Sequence, residues 1–157
     1  MQRDGAAQQA FLLFKEITIL SQLAAAEFNR MLPGSLHVSH FSIIEHLTRC
    51  GHGQTPQDLA RVFQMSKQNM TNSIAQLRNY GFVEVHNNPN DGRSKIVRLT
   101  EDGHAFRNQA MTALVPMLSD VAAHDAFAEL THALPALQTL REFLDARRQS
   151  DTRTWST

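Results

Sequence analysis

The sequence has a single cysteine, Cys50, in 157 residues. No intramolecular disulfide can form, which argues against a small secreted scaffold held by cross-links. No apolar run approaches the ~20 residues that span a bilayer, and the start, Met1 to Ala7, is polar. Glycine-rich phosphate loops and the Gly-x-Ser-x-Gly elbow are absent, so no nucleotide-hydrolysing or esterase chemistry is indicated. An excess of charge is also missing, since fifteen basic residues cancel fifteen acidic ones. These absences leave a soluble, cytosolic, single-domain protein as the expectation, large enough for a real core. No internal repeat or low-complexity segment appears.

The zero total hides an uneven distribution. Between Gln54 and Thr100 stand Arg61, Lys67, Arg78, Arg93, Lys95 and Arg98 against only Asp58, Glu84 and Asp91. That stretch carries a local +3 and the remainder of the chain −3. A basic module inside a neutral protein is a modest electrostatic footprint for a polyanion.

The same stretch has its punctuation written in. Thr55 is placed to cap a short helix, Pro56 fits its first position, and Asp58 completes a capping box. Leu59, Val62 and Phe63 supply its apolar side. After a break at Gln64 and Met65, Ser66 caps a second helix that runs to Tyr80 and stops at Gly81. Met70, Ile74 and Leu77 form its buried stripe. At about 100° per residue, Gln68, Asn72, Ala75, Gln76 and Asn79 then face outward. This face holds amides and hydroxyls but no carboxylate between Ser66 and Tyr80. A solvated face would mix in Asp or Glu; a face that approaches phosphates excludes them. Asn and Gln also pair bidentately with adenine in a major groove, and Lys67 and Arg78 flank the face within reach of backbone phosphate.

A hairpin follows. Phe82 to His86 and Lys95 to Thr100 are β-rich runs, and Asn87 to Ser94 has a turn-forming composition. Arg93 and Lys95 fall at or near the tip, with Asp91 close enough to brace Arg93. The fold class expected is mainly α, with a two- to three-stranded β wing on a helix-turn-helix.

The residues Asp58-Leu59-Ala60, Met65-Ser66, Met70-Thr71, Leu77, Gly81-Phe82-Val83, Pro89-Asn90-Asp91-Gly92-Arg93 and Leu99-Thr100-Glu101-Asp102-Gly103 resemble the MarR family of bacterial transcription regulators. The distinctive piece is Asp-x-Arg followed by Leu-Thr-x-x-Gly. The motifs cover residues 36–103, and the flanks resemble the family by helical layout. The resemblance implies a homodimer on double-stranded DNA, with recognition helices in successive major grooves of a pseudo-palindromic operator. By position, the recognition segment is Ser66 to Asn72, including Lys67, Gln68, Asn69 and Thr71. The wing arginine is Arg93, with Lys95 and Thr55 also at the DNA and Asp91 supporting the wing. It further implies a repressor released by an aromatic or phenolic effector, bound in a crevice near His37, His40 and Phe41. No cofactor, metal, membrane or catalytic residue is expected. Here the recognition helix is amide-rich where many relatives are basic.

Long helices flank this module. From about Ala6 to Met31, Leu13, Ile17, Leu20, Ala24, Phe28 and Met31 recur every three or four residues, and Pro33-Gly34 ends the helix. Its ~38 Å length exceeds what a small globule needs, so part of the stripe is expected to meet a second chain. Ser39 is read as the cap of a helix carrying Phe41, Ile44 and Leu47. Thr100 caps another, with Phe106, Ala110, Leu114, Leu118 and Val121 on one side and Pro116 as a kink. A last helix carries Phe127, Leu130, Leu134, Leu137, Leu140 and Leu144, with Pro135 a second kink. The expected layout is residues 1–35 and 104–150 for dimerisation, 36–103 for DNA, and a polar tail from Arg147, flexible over 151–157.

Three other chemistries are weighed. Cys50 closes the second helix and only Arg49 crowds it, so a helix-end cysteine is favoured over an oxidant sensor. His37 and His40 precede and follow the expected cap, need not share a face, and lack partners for a tetrahedral metal set. A winged helix serving only protein contacts would show acidic or apolar residues on the outer face, which are not there.

Overall fold

A computed structural model describes residues 2–154. It contains α1 (Gln2–Met31), α2 (Val38–Cys50), α3 (Pro56–Val62), α4 (Lys67–Asn79), β1 (Val83–Asn88), β2 (Asp91–Leu99), α5 (Glu101–Ala122) and α6 (Phe127–Thr154). The mainly helical class and the two-stranded wing are as read from the sequence. The chain divides into two compact units, one ending at Leu114 and one beginning at Val115.

In the first unit the core is built where the periodicities meet. Ile43, Ile44 and Leu47 of α2, Leu59 of α3, Met70, Ile74 and Leu77 of α4, and Val83 and Val97 of the hairpin are all buried. Phe106, Ala110 and Leu114 close it from α5. The pair Arg107–Glu45 ties α5 to α2, with Nε and Nη2 donating to the two carboxylate oxygens at 2.7 and 3.2 Å. Phe82 stacks on Phe106 at 4.4 Å between ring centres and on Tyr80 at 5.6 Å.

Helix ends follow the sequence with three corrections. Asp58 answers its cap differently from a capping box: the Thr55 hydroxyl donates to the Asp58 carboxylate (2.7 Å) while accepting from the Asp58 backbone N–H (3.1 Å). Val62 is half exposed, and Ala60 is the residue buried beside Leu59. A helix of seven residues presents only one turn to the core, so its last residue falls outside it. Helix α2 starts at Val38 with His37, not Ser39, at its cap: the His37 N–H donates to His40 Nδ1 at 3.0 Å. The Val38 N–H is taken by Asn29 Oδ1 at 2.7 Å, so α1 helps cap α2.

Two turns use the left-handed region. Gly81 (φ 76°) closes α4, with Phe82 N–H donating to Leu77 O and Gly81 N–H to Arg78 O. This is the Schellman arrangement. Gln64 (φ 53°) repeats it after α3, through Met65 N–H to Ala60 O and Gln64 N–H to Arg61 O. A glutamine there gives up roughly 1–2 kcal/mol of backbone preference, and its side-chain amide recovers a bond to Arg61 O at 3.0 Å.

Helix α1 leaves Phe11, Leu12, Leu13, Leu20 and Leu23 largely exposed. In the second unit α6 does the same with Leu130, Leu134, Phe143 and Leu144. Pro116 and Pro135 lie inside continuous helices. Helix α6 runs on through Arg147 to Thr154, over part of the stretch read as a tail, because nothing from Arg147 onward is a proline or glycine. Trp155 lies outside the described residues.

Candidate nucleic-acid interface

Helix α4 is held by both ends and one face. Ser66 accepts the Asn69 N–H at its start (3.1 Å), and Met70, Ser73, Ile74 and Leu77 pack inward. The opposite face exposes Lys67, Gln68, Asn69, Thr71, Asn72, Ala75, Arg78 and Asn79. Gln68 and Asn72 do not project independently: Gln68 Nε2 donates to Asn72 Oδ1 at 3.0 Å. The pair therefore presents one amide oxygen (Gln68) and one amide NH2 (Asn72) side by side, the complement of an adenine edge. The Thr71 hydroxyl spends its proton on Lys67 O (2.8 Å), leaving oxygen lone pairs and a methyl outward.

Gln76, read as outward-facing, belongs elsewhere. Its Nε2 donates to Ser35 O at 2.8 Å and lies 2.7 Å from Ser35 Oγ. One turn on, the Tyr80 hydroxyl accepts the Ser35 N–H at 3.2 Å. The link between α1 and α2 thus grips the last turn of α4. The hydrogen bonds to Ser35 hold the Tyr80 phenol below its usual pKa. No local sequence signal reveals this grip, since the partners lie 41 and 45 residues apart.

The hairpin is longer than the sequence runs suggested, and its irregularity is what aims the wing. Val83 pairs with Leu99 and the ladder stays regular to Asn87–Lys95. The next pair is Asn88–Asp91, so Gly92, Arg93 and Ser94 bulge out of β2 without opposite partners. A bulge re-aims side chains at a rim, and here it exposes Arg93 at the tip. Asp91 does brace Arg93, but through the backbone: Oδ1 accepts the Arg93 N–H at 3.1 Å, which leaves the guanidinium outward. Asn88 Nδ2 donates to Ser94 Oγ (2.8 Å) and closes the other side. Lys95 is exposed, with its ammonium on Asn87 Oδ1. Thr55 is half-buried and its single hydroxyl proton is committed to Asp58. At the root of the wing, Gln54 and Val97 exchange both backbone hydrogen bonds (3.0 and 2.8 Å), a one-pair third strand.

The residues expected in an effector crevice fall at the start of α2. The rings of His37 and His40 stack with centres 5.8 Å apart, so they do share a site. Phe41 and His40 are buried and His37 is exposed. Burial, then the neighbouring His37, lowers the His40 pKa. Cys50 Sγ lies 3.4 Å from His46 Nε2, whose pKa is lowered by burial and then by Arg49. Among the described residues no group of three or more His, Cys, Asp or Glu is arranged to hold a metal ion. Among them, too, no helix is long and apolar enough to cross a membrane.

Residues 35–94 match the model of the MarR family. The transcriptional activatory protein BadR of Rhodopseudomonas palustris is 28% identical over 102 residues, covering 63% of this chain and 58% of BadR. The chain thus spans less than two thirds of the curated relative it matches. Wild-type MarR from E. coli in its apo form superposes with a TM-score of 0.69 at 25% identity, covering 80% of this chain and 95% of that one. A cysteine-to-serine mutant of the same protein, complexed with operator DNA, superposes equally (TM-score 0.69, 25% identity, 82% and 95% covered). BldR from Sulfolobus solfataricus, at 20% identity and TM-score 0.73 over 83% of this chain and 95% of that one, shares the fold. With its helix-turn-helix, its bulged wing and this matched segment, the chain resembles the MarR family of winged helix-turn-helix transcription regulators over residues 35–94 and shares the fold of MarR.

Proposed function

We propose that the protein is a homodimeric, sequence-specific regulator of transcription that binds double-stranded DNA. The observation that carries this reading is the pairing of a carboxylate-free outer face on α4 with an arginine thrown outward by the wing bulge. Ser66, Lys67, Gln68, Asn69, Thr71 and Asn72 serve one major groove, where the Gln68–Asn72 amide pair suits an adenine. Arg93 enters the flanking minor groove, which attracts arginine most where A·T tracts narrow it. Lys95 adds charge near the wing tip, Asp91 holds its shape, and Thr55 acts by fixing α3. The E. coli MarR mutant solved on operator DNA, whose fold this chain shares, supports the DNA-binding reading.

The exposed leucines of α1 and of α6 are faces that a second copy would cover, giving two recognition helices related by a twofold axis. The operator is then an imperfect palindrome with half-sites about one helical turn, roughly 34 Å, apart. Repression, relieved by an aromatic or phenolic effector near His37, His40 and Phe41, is the regulatory sense taken from the family. BadR is named as an activator, so the sign is the point to measure. Selection of bound genomic fragments with the purified full chain, then a promoter fusion with and without the gene, tests both. Absence of any enriched palindrome at moderate salt overturns the reading.

A further inference from the structure

The side chains of Gln68 and Asn72 are joined to each other and to nothing else among the described residues. The 3.0 Å bond from Gln68 Nε2 to Asn72 Oδ1 leaves Gln68 Oε1 and Asn72 Nδ2 open on the exposed face of α4. Turning both amides over would exchange which residue offers which group, yet the couple would still offer one C=O and one NH2. The outward pattern is therefore a property of the pair.

In the major groove adenine alone shows a donor, N6–H, beside an acceptor, N7; guanine shows two acceptors. The two hydrogens on adenine N6 have separate duties. One holds the Watson–Crick pair, and the other points into the groove, where Gln68 Oε1 is placed to accept it. A methyl group on N6 of a paired adenine has only the second place to occupy. An N–C bond of about 1.5 Å within an N···O distance of about 2.9 Å puts the methyl carbon roughly 1.4 Å from Oε1. Carbon and oxygen need about 3.3 Å or more. The base must then withdraw by about 2 Å, which parts N7 from Asn72 as well. Gln68 cannot swing aside without breaking its bond to Asn72. Thr71, between them, offers N7 no donor in exchange, because its hydroxyl proton is on Lys67 O at 2.8 Å.

We propose that this pair makes the protein a reader of adenine methylation: DNA whose recognised adenine carries an N6-methyl group is refused, and DNA without it is bound. The inference rests on α4 entering a major groove, and adds that the methylation state of the operator controls its occupancy. Control runs in both directions, since bound protein covers the same N6 atom and shields it from methyl transfer.

The regulator reading is tested first, by selecting bound duplexes from unmethylated synthetic DNA with the full chain. The recognised adenine is the base whose preference relaxes in both Gln68→Ala and Asn72→Ala. Operator duplexes are then made with N6-methyladenine at that base, or at a flanking adenine as control, and affinities are measured at one salt concentration. Methylation of the recognised base is expected to weaken binding about tenfold per half-site, within the roughly five- to 150-fold worth of a bidentate contact. The flanking methyl group is expected to change nothing. In Gln68→Ala, checked by melting, plain and methylated operators are expected to bind alike. Equal or tighter binding of the methylated operator overturns the proposal while DNA binding stands. So does an equal loss from the flanking methyl group, a methyl effect that survives in Gln68→Ala, or a base other than adenine at the mapped position. No specific binding to any duplex overturns the regulator reading and this proposal with it.

Discussion

Gln68 and Asn72 hydrogen-bond one another across a single turn of α4, amide to amide at 3.0 Å. They act as one reading head if α4 enters a major groove. Replacing either by Ala is expected to relax preference at one base position and to cost about 1–3 kcal/mol on the preferred operator. The double substitution is expected to cost little more than either single one, because each single change already dismantles the pair. Affinities on a panel of operator variants decide it: strictly additive losses would mean two independent contacts.

Arg93→Ala is expected to weaken binding to all sequences rather than to relax preference at one base position. The salt dependence should flatten by a slope of about one per lost phosphate contact. Since Asp91 holds the wing through the Arg93 backbone rather than its side chain, the melting temperature should not move. A folded variant with unchanged affinity and salt slope removes Arg93 from the interface.

The grip on Ser35 is testable through Gly34. With φ at +63°, a Cβ there would lie 2.3 Å from the Tyr80 hydroxyl oxygen but 3.4 Å from the ring carbon that bears it. Gly34→Ala is therefore expected to be clearly destabilising, and Tyr80→Phe alone to cost about one hydrogen bond, 0.5–1.5 kcal/mol. In the double variant the clash is gone, leaving the backbone penalty, roughly 1–2 kcal/mol, on top of that lost hydrogen bond. Denaturant unfolding reads this as rescue, and a double variant worse than Gly34→Ala contradicts the geometry.

His40 sets a pH dependence. Burial, and then His37, holds its folded pKa below the unfolded value near 6.5. The unfolded chain therefore takes the proton first as pH falls, so stability rises with pH through this window. It should be full above about pH 6.5 and decline below it. His46, lowered for the same first reason, adds in the same direction. Thermal melts between pH 5 and 8 are expected to flatten in His40→Gln; an unchanged slope would assign the effect elsewhere.

Deleting Phe127 to Thr157 is expected to yield monomer or aggregate, since α1 already exposes Phe11, Leu12, Leu13, Leu20 and Leu23. Light scattering that finds a soluble truncated dimer would rule out a role for the last helix.

Much of the local architecture was determined by the sequence alone. The caps at Thr55 and Ser66, the stop at Gly81, the Met70–Ile74–Leu77 stripe and the Asn-Pro-Asn-Asp-Gly-Arg tip are all short-range features. Propensity and periodicity within four residues decide them. What only the tertiary structure decided involves partners far apart in the chain or details of register. Gln76 was legible as one more outward amide until Ser35, 41 residues away, claimed it. Val62 followed the helical period but ran past the end of the core. The hairpin's composition announced a turn, yet only the ladder shows three residues bulging at Arg93. Arg98 was one positive charge among six in its stretch, and only the structure shows its cross-strand neighbour Glu84 bonding His86 instead. Such choices rest on which of several polar partners wins in three dimensions, a competition that residue spacing does not encode.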